Sequence, residues 1–524
     1  MSKQETKQWG AIIVMIALFA MIAFVTNLCS PMGVIVKNQF GTSNFLAMVG
    51  NYGNFMAYLV MGFPAGLMIQ KYGYKKTALI GLAFGIIGII IQWLSGWGGF
   101  LVYLIGAFIA GFCMCILNAV VNPMLNLLGG GGNKGNQLIQ TGGVFNSSAA
   151  VAVYIIMGAL IGEASKAKIS DATPALMIAL AIFVIAFIVI AFTKIEEPAQ
   201  PVKVKGEKDP HSAFSFRHFK LGILAIGLYG GVEMGIPGYI LQYLTADTQE
   251  IRDKKTDIMK QYEAKIIDLD ATALAMLFPN GDAKEQMEKD ITKALDKAKK
   301  KKAGELTIEE EENVKKECKA DREKSIKDTK KRIEEGEITL EKTQKTTLGL
   351  AMNAGYVGTL AAIYFLLMLV GRFVGASVGG KVSTKAMMTF VSALAVILIL
   401  LGIYLPTEIS VSVPGIDYTN MAVLWDKVPV GIFCFLLVGL CASVMWGGIF
   451  NLATEGLGKY TAIASGAFMT MVCGFAIMVG IQGLVADWTG SYLISYWVPL
   501  LCAAYILYYA LWGSKNVNTD IPVE

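Results

Sequence analysis

The stretch ILAIGLYGGVEMGIPGYILQY, Ile223 to Tyr243, decides the fold class because it is long and apolar enough to cross a membrane as one helix. About 20 mainly apolar residues span the hydrocarbon core of a bilayer. Its one charged residue, Glu233, lies near the middle, where a carboxylate costs ~2.5 kcal/mol or more. Such a residue usually faces a protein interior or a water-filled cavity. The stretch therefore predicts a membrane helix that carries a functional carboxylate.

The composition extends this prediction to the whole chain. Of its 524 residues, 55% are hydrophobic and 16% are charged, whereas soluble proteins have ~25% charged residues. The segment 246–345 holds 49 of the 85 charged side chains, so the remainder is strongly apolar. No basic patch interleaves with aromatic residues, and nucleic acid is not an expected partner. Without a metal cluster or a nucleophile with a base, neither an enzyme nor a cofactor site is expected.

Twelve apolar runs are long enough to span a membrane, and a polar linker separates them into two sets of six. We therefore predict an all-α membrane protein with twelve transmembrane helices in two six-helix bundles. The runs are 9–36, 44–69, 77–96, 99–122, 143–163, 173–193, 219–244, 347–376, 384–405, 428–452, 460–486 and 491–513. The predicted domains are an N-terminal bundle 1–193, a linker 194–218, a C-terminal bundle 219–245 with 346–514, and a charged insert 246–345 between helices 7 and 8.

Lys and Arg in the short loops predict the orientation, because such residues favour the cytoplasmic side of a membrane. They are concentrated on the face that carries both termini and the linker, which we expect to be cytoplasmic; the insert is then periplasmic. In the insert, sparse Leu, Ile and Met at roughly helical spacing predict a helical hairpin or coiled coil. The insert is either a solvated stalk or a docking surface for a periplasmic partner.

Helix-breaking residues recur in the first, fourth, seventh and tenth runs. Pro31, Pro123 and Pro237 lie in the first three of these, and the tenth has the tripeptide Trp446 to Gly448 instead. Irregular backbone at membrane depth is tolerated where it lines a cavity. Transporters built from three-helix repeats place broken helices around a substrate site near the midplane. The recurrence predicts one central cavity.

Several short motifs resemble those of a known transporter superfamily. The loop from Gly66 to Lys76 resembles the cytoplasmic signature of the major facilitator superfamily, with Gln70 where an Asp is usual. Finer features are similar to the fucose–proton symporter family, which includes bacterial glucose/galactose transporters. These are 26–28, 122–123 with 127–129, 145–147, 228–229 with Glu233, 371–373 and 449–452 with 456–458. The resemblance implies a secondary transporter in the bacterial inner membrane, whose two halves rock about a sugar site.

The chain departs from the fucose carriers at the residues that the resemblance would assign to protonation. Ser30 stands where those carriers have an Asp, and Asn118 stands where they have a Glu. Glu233 is then the cavity carboxylate available for cation coupling. It could take up a proton, or stay ionised and help to hold Na⁺ with amide oxygens. The alternative is a structural carboxylate held by a salt bridge or by neighbouring amides.

The candidate substrate-binding residues are amides and aromatics at membrane depth. Amides offer both donors and acceptors to sugar hydroxyls, and aromatic rings can stack on a pyranose; the alternative for each residue is interhelical bonding or packing. The candidates are Asn27, Asn118, Asn122, Asn146, Tyr229, Tyr239, Trp446 and Asn451. Arg372 is a candidate gate, or a helix-end residue that bonds carbonyl groups.

Together these features predict the import of a monosaccharide or similar neutral polar solute by alternating access, coupled to protons. The expected partners are the sugar, the coupling cation and membrane lipid. Four alternatives stay open: sodium coupling, uniport, a carrier of another solute class, and a membrane nutrient sensor that signals through the insert.

Overall fold

The structure is a computed structural model of the chain. It describes residues 9–26, 44–161, 169–193, 211–265, 306–336, 339–345, 347–352, 354–417, 422–518 and 520–523, with scattered positions in 291–302. The first half of the fold is a run of helices that ends before the linker. Its helices are α1 (Trp9–Thr26), α2 (Asn44–Gly98), α3 (Phe100–Leu128), α4 (Gly132–Ile161) and α5 (Ile169–Phe192).

The second half contains the remaining long helices together with the insert and one pair of strands. The first helix, α6 (Arg217–Thr245), leads into the insert helices α7 (Gln249–Glu263), α8 (Ile308–Glu334) and α9 (Leu340–Gln344). There follow α10 (Ala354–Val378), α11 (Thr384–Tyr404), β1 (Ser410–Asp417), β2 (Ala422–Pro429), α12 (Val430–Thr454), α13 (Gly458–Thr489) and α14 (Tyr492–Gly513). We call α1–α5 the N-terminal half, and α6 with α10–α14 the C-terminal half.

Ten of the described helices are long and apolar enough to cross a membrane. One of them, Gly53–Gly98, has 46 residues, which is enough for two crossings at ~20 residues each. It is broken at Gly73, whose φ of 82° lies in the left-handed region that glycine enters without strain. The helical membrane fold class is thus confirmed. The count of twelve crossings stays a prediction, as do the domain boundaries.

The largest displacement of a predicted boundary is at the start of α4. The predicted run starts at residue 143, whereas the helix begins at Gly132. Residues 133–141 are polar and resemble a loop in sequence. They form helix because their side chains bond the C-terminal half: Gln137 donates to the Ala376 carbonyl over 2.9 Å and Gln140 to the Val444 carbonyl over 2.9 Å.

Glycines allow the two halves to pack closely where α2 meets α13. A Cβ on Gly66 would lie 2.9 Å from the carbonyl oxygen of Ala462 and 3.1 Å from the Cα of Gly466. Small residues are typical of helix interfaces in membranes because they let the backbones approach. The two halves are therefore in backbone contact on this side of the bundle.

The chain on either side of the insert is held to the ends of membrane helices. The backbone N–H groups of Leu350 and Met352 donate to the carbonyls of Tyr243 and Leu244 at the end of α6, over 3.1 and 2.7 Å. Residues 347–352 were predicted to open helix 8, but they are not helical, and α10 begins at Ala354. The insert is thus continuous with the helix that carries Glu233.

Within the insert, the described residues are mainly helical. The longest helix, α8, begins with a capping box formed by Thr307 and Glu310, a common device for helix starts. The Lys302 ammonium bonds the Glu310 carboxylate and lowers the pKa of that carboxyl to about 2. The cap therefore stays ionised at ordinary pH.

A β-hairpin lies between α11 and α12, where none was predicted. Strands β1 and β2 pair antiparallel, with Ser410 opposite Pro429 and Asp417 opposite Ala422. The hairpin packs on α10, where the Tyr356 hydroxyl donates to the Val413 carbonyl over 2.8 Å. The hairpin thus adds one pair of strands to an otherwise helical second half among the described residues.

Candidate functional site: a cavity between the two halves

Glu233 lies at the centre of an irregular turn in α6. The helix widens into a single π-turn over Gly231–Gly235. Pro237 has no N–H group, so the carbonyl of Glu233 lacks the donor that an α-helix would supply there. Single π-turns of this kind are frequent at functional sites. The proline that was noticed in the sequence thus accounts for the local geometry of the carboxylate.

Arg372 of α10 lies beside Glu233 and also reaches the N-terminal half. Its Nη2 is 3.5 Å from Oε1 of Glu233, and the two side chains are only 10% and 12% exposed. Its Nη1 donates to three acceptors on α4: the Gly143 carbonyl at 3.1 Å, Asn146 Oδ1 at 3.0 Å and Ser147 Oγ at 2.8 Å. The guanidinium therefore joins the carboxylate of one half to the backbone and side chains of the other.

A cavity lies beside this ion pair, between the two halves. Its volume, measured as the space open to the centres of water molecules, is about 130 Å³, which is many times the minimum for one water. Lining residues come from both halves: Phe19, Ile22, Ala23, Thr26, Phe55, Tyr58, Asn118, Ile139, Gln140, Gly143 and Asn146 from the N-terminal half, and Glu233, Met234, Arg372, Ser443, Trp446, Gly447, Val472 and Phe475 from the C-terminal half. A small polar solute could be held here by both halves at once.

A chain of hydrogen bonds crosses from the C-terminal half to the opposite wall of the cavity. The Trp446 indole Nε1 donates to Asn122 Oδ1 at 3.3 Å. Asn122 Nδ2 donates to the Asn118 carbonyl at 2.9 Å and lies 3.5 Å from its Oδ1. Asn118 Nδ2 donates to the Tyr58 hydroxyl oxygen at 2.9 Å. The chain joins α12 to α3 and α2.

Five of the residues singled out from the sequence come together at this cavity: Glu233, Arg372, Asn118, Asn146 and Trp446. The structure thus gathers onto one surface residues that are as far apart in the chain as Asn118 and Trp446.

The other candidates lie elsewhere. Tyr229 is buried behind Glu233 and donates to the Ala442 carbonyl at 3.1 Å, and Tyr239 donates to the Val479 carbonyl at 3.0 Å. Asn451 donates to the Gly132 carbonyl at 2.6 Å, and Asn122 lies behind Trp446. Asn27 falls outside the described residues.

Sequence reasoning missed several polar or aromatic residues of the cavity wall. Gln140 stands in the polar stretch that was excluded from the fifth run. Tyr58 lies in an apolar run, where a tyrosine is expected to pack. Phe475 lies 6.2 Å, centroid to centroid, from the ring of Trp446 and at 73° to it. These side chains form one wall of the cavity only because the two halves pack against each other, which the sequence does not show.

The comparisons with known proteins show which superfamily this chain is similar to. The model of the Major Facilitator Superfamily matches residues 14–252. The crystal structure of the superfamily transporter FucP in the outward conformation superposes with a TM-score of 0.65 at 17% identity, covering 97% of this chain and 99% of that one. The chain has the major facilitator fold, and its similarity is to transporters of this superfamily, which confirms the resemblance.

Curated relatives narrow the resemblance further. A glucose/galactose transporter of Brucella abortus biovar 1 (strain 9-941) is 23% identical over 522 residues, which is 97% of this chain and 96% of that protein. An L-fucose-proton symporter of Haemophilus influenzae is 25% identical over 260 residues, which is 44% of this chain and 60% of that protein. This chain is thus similar along nearly its whole length to a sugar transporter, and its ten described apolar helices are those of a multi-pass membrane protein.

Proposed function

We propose that the chain is a secondary active transporter that imports a monosaccharide by alternating access, coupled to protons through Glu233. The observation that carries this proposal is the buried Glu233–Arg372 pair at the wall of a cavity between the two halves. The relatives named as a glucose/galactose transporter and a fucose-proton symporter support the substrate class and the coupling ion.

The remaining wall of the cavity has the chemistry that a sugar requires. The amides of Asn118 and Asn146 can donate to and accept from hydroxyls. The rings of Trp446 and Phe475 offer apolar surface to the C–H face of a pyranose. Both kinds of surface, on opposite halves, suit a neutral polyol better than a large apolar drug.

Coupling follows from the two sets of acceptors available to Arg372. When Glu233 is ionised, its carboxylate draws the guanidinium towards the C-terminal half and away from α4. When Glu233 is protonated, that attraction weakens, and the bonds of Arg372 to Gly143, Asn146 and Ser147 hold the halves together. A sugar that occupies Asn146 then displaces the guanidinium and releases the halves. The empty and the fully loaded carrier would reorient, whereas the carrier with a proton alone would not, which prevents a leak of protons without sugar.

The test is uptake by Glu233→Gln in proteoliposomes, because glutamine resembles the protonated side chain. Wild type should accumulate radiolabelled glucose or galactose under an inward proton gradient. The variant should keep sugar exchange, which needs only the loaded carrier to reorient. It should lose accumulation, which needs the empty carrier to return.

The control is Glu250→Gln, on the exposed surface of α7, which should accumulate sugar as wild type does. Accumulation by Glu233→Gln would show that this residue does not couple the cation. If wild type accumulates sugar under a sodium gradient but not under a proton gradient, the coupling ion is sodium rather than the proton. If wild type transports no sugar under any gradient, the proposal that the substrate is a sugar is refuted.

We further infer a bacterial inner membrane location with both termini cytoplasmic, from the excess of Lys and Arg in loops on that face. The first helix of the C-terminal half begins on this face too, since the backbone N–H of Arg217 donates to Asn518 Oδ1 near the C-terminus at 3.0 Å. A periplasmic position for the insert follows because one membrane crossing separates it from that face.

A further inference from the structure

We propose that the Tyr58 hydroxyl is a dedicated hydrogen-bond donor to one hydroxyl oxygen of the sugar, and that Trp446 fixes its direction from across the cavity. The inference rests on the proposed function and deepens it, because it names the residues that read one position of the sugar ring.

The direction of the hydrogen-bond chain follows from its first member. An indole Nε1–H can only donate, so Asn122 must present its Oδ1 to Trp446. The Nδ2 of Asn122 then points to Asn118 and donates to its carbonyl. With the Asn122 amino group beside Asn118 Oδ1, the amino group of Asn118 points to Tyr58. Every member of the chain is oriented by the one before it.

Tyr58 is therefore the last acceptor, and its own hydrogen is left to donate. A phenol donates one hydrogen and accepts at its oxygen, and the oxygen already receives the Asn118 bond. Among the residues that the structure describes, none accepts the Tyr58 hydrogen. The side chain is 4% exposed and lines the cavity. A buried donor left without an acceptor is costly, so an oxygen atom of the ligand is favoured at this point.

The site should consequently distinguish a hydroxyl from a hydrogen at one ring position. One neutral hydrogen bond contributes roughly a 3- to 10-fold difference in affinity. Phe55 stands beside Tyr58, with ring centroids 6.4 Å apart, and packs on Phe475 at 5.5 Å. The donor therefore faces the cavity from an apolar surround.

The experiment compares a panel of monodeoxy glucoses and galactoses as competitors of sugar exchange in proteoliposomes. In wild type, one deoxy sugar should bind about 3- to 10-fold more weakly than its parent on account of this contact. In Tyr58→Phe, the parent should weaken by that factor while the same deoxy sugar is unchanged, so their ratio falls to about 1. Tyr496→Phe, whose hydroxyl donates to the Ile236 carbonyl away from the cavity, should keep the wild-type ratio.

Trp446→Phe provides the second variant. It keeps an aromatic ring at the wall but removes the N–H, so the Asn122 amide is held by its bond to the Asn118 carbonyl alone and the direction of the chain is less strictly fixed. The same ratio should decrease although Tyr58 is intact, and this variant carries the test if Tyr58→Phe does not fold. The inference is overturned, while sugar transport stands, if both variants bind every sugar of the panel equally more weakly. It is also overturned if the affinity ratio of the parent to the deoxy sugar stays as in wild type. Absence of sugar flux in wild type would instead refute the proposed function, and this inference with it.

Discussion

Replacing Arg372 by methionine should destabilise the protein strongly, because the guanidinium makes all its polar contacts inside the bundle. The substitution leaves the Glu233 carboxylate buried without its counter-charge at 3.5 Å, and it leaves acceptors on α4 without their donor. Removing one partner of a buried ion pair costs ~3–5 kcal/mol. The entropy of unfolding scales with chain length and is about 1 kcal/mol/K for 524 residues. The thermal midpoint should therefore decrease by ~3–5 °C.

The assay is thermal unfolding in detergent with a thiol-reactive dye, since Cys113 and Cys115 are fully buried and become reactive on unfolding. Adding Glu233→Gln to Arg372→Met removes the unpaired charge, so the double variant should recover much of the lost stability. The resulting coupling energy between the two positions should be about 1–3 kcal/mol, as for residues in contact.

The matched control is Lys254→Met, which breaks the Lys254–Glu250 pair on the surface of α7. That pair is shorter, at 2.8 Å, but its side chains are 63% and 77% exposed. Solvent screening makes such pairs contribute little, so the midpoint should change by less than ~1 °C. The reasoning fails if Arg372→Met shifts the midpoint no more than this control, or if the two single effects simply add.

Two further outcomes test the packing and the orientation. Gly66→Ala should lower the thermal midpoint, because its Cβ would lie 2.9 Å from the Ala462 carbonyl oxygen. The control Gly53→Ala, whose Cβ would meet nothing within 4 Å, should raise the midpoint by about 1 °C because alanine has the better helix propensity. Equal shifts in the two variants would contradict the close approach of α2 and α13. Cys318, half-buried on α8, should react with a membrane-impermeant maleimide in intact cells, and Cys318→Ser should lose that signal. Labelling of Cys318 only after permeabilisation would place the insert in the cytoplasm.

Much of the helical framework could be predicted because the thickness of the bilayer sets the length of the apolar runs that cross it. The boundaries of α6, α11 and α14 lie within two residues of the predicted runs. The start of α4 could not be predicted from hydrophobicity, because residues 133–141 are polar and their helix is stabilised by bonds with α10 and α12. The hairpin β1–β2 was missed because the search was for apolar runs of membrane-spanning length, and each strand has only eight residues.

The candidate site was partly predictable for a related reason. A carboxylate such as Glu233 is anomalous in an apolar run, and Asn118 and Asn146 stand out in the same way. Tyr58 carries no such signal, because tyrosine is common in membrane helices. The role that we propose for it depends on Trp446, which lies 388 positions away in the chain and on the other half. Whether an aromatic side chain lines the cavity or packs in the interior depends on how the two halves meet.

Neutral groups make most of the bonds that join the two halves, which singles out the one charged contact. Asn451 donates to the Gly132 carbonyl at 2.6 Å, and Asn133 Oδ1 accepts from the Thr384 backbone N–H at 3.1 Å. Such amide and carbonyl groups do not titrate between pH 5 and 8. Among the hydrogen bonds between the halves that the structure describes, those of Arg372 alone involve a charged group. In the function proposed above, a proton gradient therefore biases the equilibrium between the two facing states through the titratable group that contacts this guanidinium, which is Glu233.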